Sequence, residues 1–183
     1  MESERNSMLN QGLKFGLIMG FVQIAIILML FIIDKNLLVD FKILALIIVI
    51  NIALMVWPVR NYKKMNEGQI TFKDAFFICL IAIVGGTLVA SVFNYILYNM
   101  IDTGLVDFMK EQTIQKTVGF MEKMGTPQED IEKAIAPLME QDFKQTPSKI
   151  GGQFLQSILF GTIPALIIAA ILRTKQKPVD DIQ

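Results

Sequence analysis

Four long apolar stretches alternate with short polar ones along this chain. Phe15 to Ile33 is apolar apart from Gln23, and Ile43 to Trp57 is broken only by Asn51. The second stretch extends toward Leu37 when Lys42 carries its charge outward on an aliphatic stem. Ala75 to Tyr98 is the third and Phe154 to Leu172 the fourth. None has the polar face that a surface helix of a soluble protein shows. A helix crosses about 30 Å of hydrocarbon with roughly 20 apolar residues. The pattern therefore predicts an all-α integral membrane protein with four transmembrane helices, at about 12–33, 38–57, 75–98 and 151–172, and a helical extramembrane excursion over 99–150. The first stretch reads as a retained helix: "FIIDKN" after it is bulky and charged, not a cleavage site.

The polar joints have their own grammar. In "RNYKKMNEGQITFKDAF", Trp57 just upstream suits the headgroup level, and Pro58 is expected to stop the second helix because it lacks an amide hydrogen. Arg60, Lys63 and Lys64 follow, then Gly68 for a turn, and Thr71 as cap of the third helix with Asp74 as its acidic partner. Within the excursion, Thr126-Pro127-Gln128-Glu129 is a helix start, with Thr126 as cap and Pro127 in first position. Ile131, Ala134, Ile135, Leu138 and Met139 then fall on one face; Pro137 lies inside it and is expected to kink or end the helix. The earlier piece, Leu105 to Met124, puts Leu105, Met109, Phe120 and Met124 on one side and Ile114, Val118 and Met121 on another. These faces require a cover: each other, the membrane surface or a protein partner.

Small residues mark two of the spans. Gly12, Gly16 and Gly20 recur every four residues on the first; Ala82, Gly86 and Ala90 do so on the third, with Gly85 and Ser91 beside them. Such spacing lets helix backbones approach closely, and packing drives association in lipid. The expectation is packing within one chain, with a homo-oligomer through these small-residue faces as the alternative. Gly161 and Pro164 interrupt the fourth helix's pattern, where proline either kinks a membrane helix or is simply tolerated.

Composition sharpens what is excluded. The 183 residues are 53% hydrophobic, with 17 Lys+Arg against 17 Asp+Glu. No concentrated basic face points to nucleic acid. There is no histidine and a single cysteine, Cys79, so neither an intrachain disulfide nor a Cys-based metal site can form. The polar residues at membrane depth are Gln23, Asn51, Thr87, Ser91, Asn94, Ser157 and Thr162, and no charged residue sits near the middle of a span. That pattern speaks against a charge-coupled transporter. Asp102 and Asp107 are the carboxylates at the rim, and a Ser or Thr nucleophile lacks a nearby base. No catalytic, cofactor-binding or metal residue is assigned, and no cofactor. Arg5, Lys14, Arg60, Lys63, Lys64, Lys73, Arg173, Lys175 and Lys177 lie on the termini and the middle loop, and the other eight basic residues are spread over the longer remaining connections; by density the positive-inside rule then expects the termini and the middle loop in the cytoplasm.

Five segments carry a family resemblance: "GLKFGLIMG" in the first helix, the loop ending "GQITFKDAF", "YILYNMID" closing the third helix, "MGTPQEDIEKAI" in the excursion, and "GTIPALIIAAIL" before a basic tail. In these the chain resembles an uncharacterised bacterial membrane family, domain of unknown function 4199, over nearly its whole length. That family often has Pro after the Asp of the Ile101-Asp102 step; here Thr103-Gly104 follows. The resemblance implies fold and a bacterial membrane location, and carries over no functional residue. The expected function is a non-enzymatic interaction or assembly component of the bacterial inner membrane, in contact with the lipid bilayer and with a protein partner at the 99–150 excursion. The alternative is a small oligomeric channel or transporter for a neutral or passively moving solute.

Overall fold

A computed structural model describes residues 2–140 and 144–174; Lys175 and Lys177, counted in the charge pattern, lie outside the described residues. The described chain is helical with no strand. It comprises α1 (Glu2–Ile33), a 3-10 turn (Lys35–Val39), α2 (Phe41–Met65), α3 (Phe72–Ile96), a π-helical turn (Leu97–Ile101), α4 (Leu105–Lys123), α5 (Gln128–Glu140) and α6 (Pro147–Leu172). Four helical stretches are long and apolar enough to cross a membrane: Arg5–Ile33, Phe41–Met65, Phe72–Ile101 and Pro147–Leu172. At most 33% of any span's apolar window is buried inside the protein. Leu46, Ile48, Val92, Leu155, Leu159 and Ile171 are each more than half exposed, which suits faces that lipid covers.

The chain divides into two compact units, one drawn from Met1–Val22, Val49–Val89 and Phe154–Gln183, the other from Gln23–Ile48 and Ala90–Gln153. In the first, the core is Met19, Met55, Val59, Tyr62, Ile70, Ala75, Ile78, Cys79, Ala82, Ile83, Ala165, Ile168 and Ala169. Many of these are small, as close backbone packing in lipid requires. The glycines of α1 face α3 of the same chain. A methyl on Gly16 would stand 2.9 Å from the Ala82 carbonyl oxygen, and one on Gly86 would stand 3.1 Å from the Gly16 carbonyl oxygen. Gly12 and Gly20 meet Ile81 and Val89 in the same way. The intrachain expectation for this stripe is what the structure shows, so these glycines already have a partner.

Three prolines lie inside continuous helices. α2 runs on through Pro58 to Met65, so Pro58 does not stop the helix and Arg60, Lys63 and Lys64 belong to its last turns. Pro58 is buried, and in the turn before it the Cys79 thiol of α3 donates to the Met55 carbonyl at 3.7 Å, a contact that ties α3 to α2 beside the proline. α5 likewise continues through Pro137, and α6 through Gly161 and Pro164. Gly161 is a packing position, with Ile83 3.1 Å from where its Cβ would be.

Helix ends explain the joints. α2 closes with Glu67 at φ 52° and Gly68 at φ 80°, and the Gly68 amide donates to the Lys63 carbonyl at 2.9 Å. α4 closes alike: Gly125 at φ 74°, with the Thr126 amide on Met121 O at 3.0 Å and the Gly125 amide on Glu122 O at 2.9 Å. Both are Schellman ends. Thr71 caps α3 as expected, its Oγ1 accepting the Asp74 amide at 3.2 Å. Asp74 differs in detail: its Oδ2 accepts from the Thr71 hydroxyl at 2.6 Å. The Thr174 hydroxyl accepts the Ile70 amide at 2.9 Å, and Lys63 Nζ donates to Leu172 O at 2.9 Å, tying the end of α6 to the α2–α3 joint.

Candidate interaction site at the extramembrane helices

In the second unit the short connection after α1 is built by two aspartates. Asp34 Oδ1 accepts from the backbone amide and side-chain amide of Asn36, each at 2.9 Å, which starts the 3-10 turn. Asp40 Oδ1 accepts the amides of Lys42 at 2.9 Å and Ile43 at 3.4 Å, which caps α2. Those amides, Lys42 first, hold the Asp40 carboxyl below its ordinary value. The connection is thus a short, internally bonded strap between two spans.

α4 packs against this strap on one side and against α5 on another. Lys116 Nζ donates to Asn36 O at 2.8 Å and lies 3.8 Å from Asp40 Oδ2. Lys35 pairs with Asp102 just before α4. The Lys35 ammonium is the main cause that holds the Asp102 carboxyl below its ordinary value, with help from the Gly104 amide at 3.1 Å. Phe41, the first residue of α2, meets the Phe120 ring with centroids 6.2 Å apart and planes tilted by 57°. On the α5 side, Ile131 is 1% exposed, Ile135 and Leu138 are half-buried, and Lys110 Nζ donates to Met139 O at 2.7 Å. Of the covers expected for the α5 stripe, α4 supplies the one at Ile131. α5 begins at Gln128, one residue later than a Thr126 cap would set it, with Pro127 O accepting the Asp130 and Ile131 amides.

A cleft of about 380 Å³ opens where the π-helical turn meets the start of α6, lined among others by Tyr95, Tyr98, Thr103, Asp107 and Lys144. Asn99 spans its base, its side-chain amide donating to Tyr95 O at 3.0 Å and Gln145 O at 3.1 Å. Thr146 caps α6 through the Lys149 amide at 3.3 Å. The rim carboxylates separate: Asp107 lines the cleft, whereas Asp102 is bound to Lys35. Among the polar residues at membrane depth, the Thr162 hydroxyl donates to Leu159 O at 2.5 Å, and Gln23 and Asn51 are both engaged. Asn94 Oδ1 is buried with no hydrogen-bond partner among the described residues. Among those residues no three of His, Cys, Asp or Glu gather as a metal site would need.

The lysine straps at residues 35 and 116 escaped sequence reasoning, because pairs 67 and 76 positions apart leave no local trace (102 less 35; 116 less 40). The Thr146-Pro147 start of α6 had a signal in plain view, the same Thr-Pro pair as at 126–127.

A family model with the description "Protein of unknown function (DUF4199)" matches residues 14–174. No curated protein and no solved structure matches the chain.

Proposed function

The chain belongs to the DUF4199 family of proteins of unknown function, and on that premise we propose a non-enzymatic role as an interaction or assembly component of the bacterial inner membrane. One observation carries the reading: α4 is not a loosely tethered insertion but is fastened to the 34–40 connection by Lys35–Asp102, by Lys116 on Asn36 O, and by Phe120 on Phe41. A pre-ordered element presents a fixed surface, which lowers the entropy lost on binding a partner. Its solvent face offers Glu111, Gln115 and Glu122, all exposed. Four crossings put the 34–40 connection and the excursion on one side, and the 66–71 joint and the C-terminal end on the other. The density of Arg60, Lys63 and Lys64 assigns the second side to the cytoplasm, so the excursion faces outward.

A photo-crosslinking residue at Gln115 in the full chain, activated in its own membranes, tests this. The reading expects an adduct to a defined protein that weakens when Lys116→Ala loosens the strap. Adducts to lipid alone would contradict it.

The channel alternative has one supporting group, the unpartnered Asn94 Oδ1 in α3, which would suit a neutral solute. Solute efflux from vesicles that stops with Asn94→Leu would favour it.

A further inference from the structure

The exposed side chains of α4 are sorted by direction. At about 3.6 residues per turn, Glu111, Gln115 and Glu122 fall on one side of the helix, and Phe120 and Met124 on the opposite side. The first three are exposed and polar. Phe120 is 56% and Met124 69% exposed, yet both are large and apolar. The side that carries them is the side on which Phe120 meets Phe41, the first residue of the second span.

That contact fixes the depth. Ile33 ends the first span and Phe41 starts the second; Ile32, Ile33 and Phe41 are themselves more than half exposed. The residues between them therefore lie at the boundary between hydrocarbon and headgroups, and Phe120 rests on one of the two flanking positions. The hydroxyls on the same side of α4 are tied off. Thr113 Oγ1 donates to Met109 O at 2.7 Å and Thr117 Oγ1 to Thr113 O at 2.8 Å, so neither donor hydrogen requires water. Lys123, between the two faces, has a stem long enough to run along apolar surface while its ammonium reaches phosphate.

We propose that α4 is an interfacial helix: its Phe120–Met124 face seats in the headgroup–acyl boundary of the bilayer that the chain itself crosses, and its Glu111–Gln115–Glu122 face turns to water. The surface is continuous with the lipid-covered face of the adjoining span, which is why the occupant is the bilayer and not a second copy or a soluble partner. An exposed apolar helix face lying in the interface plane gains from the area it buries there.

The test uses the full chain with Trp57→Phe, reconstituted in vesicles of phosphatidylethanolamine and phosphatidylglycerol with or without bromine on the acyl chains. Single tryptophans are placed at Phe120→Trp, Met124→Trp and Gln115→Trp. Position 124 has no ring partner and keeps the test alive where a larger ring at 120 disturbs Phe41. The expected result is blue-shifted emission at 120 and 124, quenched by the brominated lipid and shielded from iodide, with the reverse at 115. Iodide quenching at 124 equal to that at 115 would overturn the proposal, and so would shielding from both bromine and iodide, because a protein would then be the cover.

Discussion

Gly16 of α1 lies against Gly85 of α3 so closely that a methyl on Gly16 would stand 3.2 Å from the Gly85 Cα. The same methyl would be 2.9 Å from the Ala82 carbonyl oxygen, and backbone atoms cannot swing aside as a side-chain tip can. Gly16→Ala should therefore cost about 1–3 kcal/mol, the usual penalty of overpacking. Gly86→Ala, whose added carbon would meet Gly16 O and Met19 Cβ at 3.1 Å each, should be milder, and Gly86→Leu severe. Thermal unfolding in detergent, followed by circular dichroism, would rank them. Equal stability of Gly16→Leu and wild type would show that this face is not packed.

Glu67 and Gly125 occupy the same position in two Schellman ends, at φ 52° and φ 74°. The left-handed region costs a side-chain-bearing residue roughly 1–2 kcal/mol, less what glycine loses by its greater freedom when unfolded. Glu67→Gly should thus stabilise the chain by about 0.5–1 kcal/mol, and Gly125→Ala should destabilise it by about 1 kcal/mol. The same unfolding measurement checks both, and the opposite signs make a general artefact easy to recognise.

The strap on α4 should loosen in acid. Asp102 and Asp40 both titrate below the ordinary 3.8, Asp102 through Lys35 and Asp40 through the amides of Lys42 and Ile43. A carboxyl with a lowered folded value stabilises the folded form above its unfolded value, and that contribution is lost as pH falls through the lowered one. The strap should therefore be complete at neutral pH, begin to weaken near 3.8 and be lost only as pH falls through the lowered values. Spin labels at Lys42→Cys and Glu122→Cys, with buried Cys79 left in place, should give a narrow distance distribution at neutral pH that broadens in acid. With Asp102→Asn added, it should already be broad at neutral pH. A distribution unchanged in both conditions would show that the ion pairs do not hold α4.

The spans were legible because each is a long apolar run, and the α1–α3 face because small residues repeat at the helical period. Thr71 was legible as a cap for the same reason: its signal is local. Pro58 was legible only as a breaker, since its missing donor says nothing of the packing that buries it inside a continuous α2. The Phe120–Met124 side was readable as apolar, but not as the side that meets Phe41. That required knowing which lysine reached which carbonyl, and no pattern along the chain encodes it.

The account depends most on one topological statement: the α2–α3 joint and the α4–α5 excursion lie on opposite sides of the membrane. Lys64 and Lys123 report on the two sides, and both are exposed. Lys64→Cys and Lys123→Cys, each placed alone in the full chain, should be tested with a membrane-impermeant maleimide on intact and permeabilised cells. The account predicts labelling at 123 in intact cells and at 64 only after permeabilisation. Labelling of both positions from outside in intact cells would contradict the four-span path.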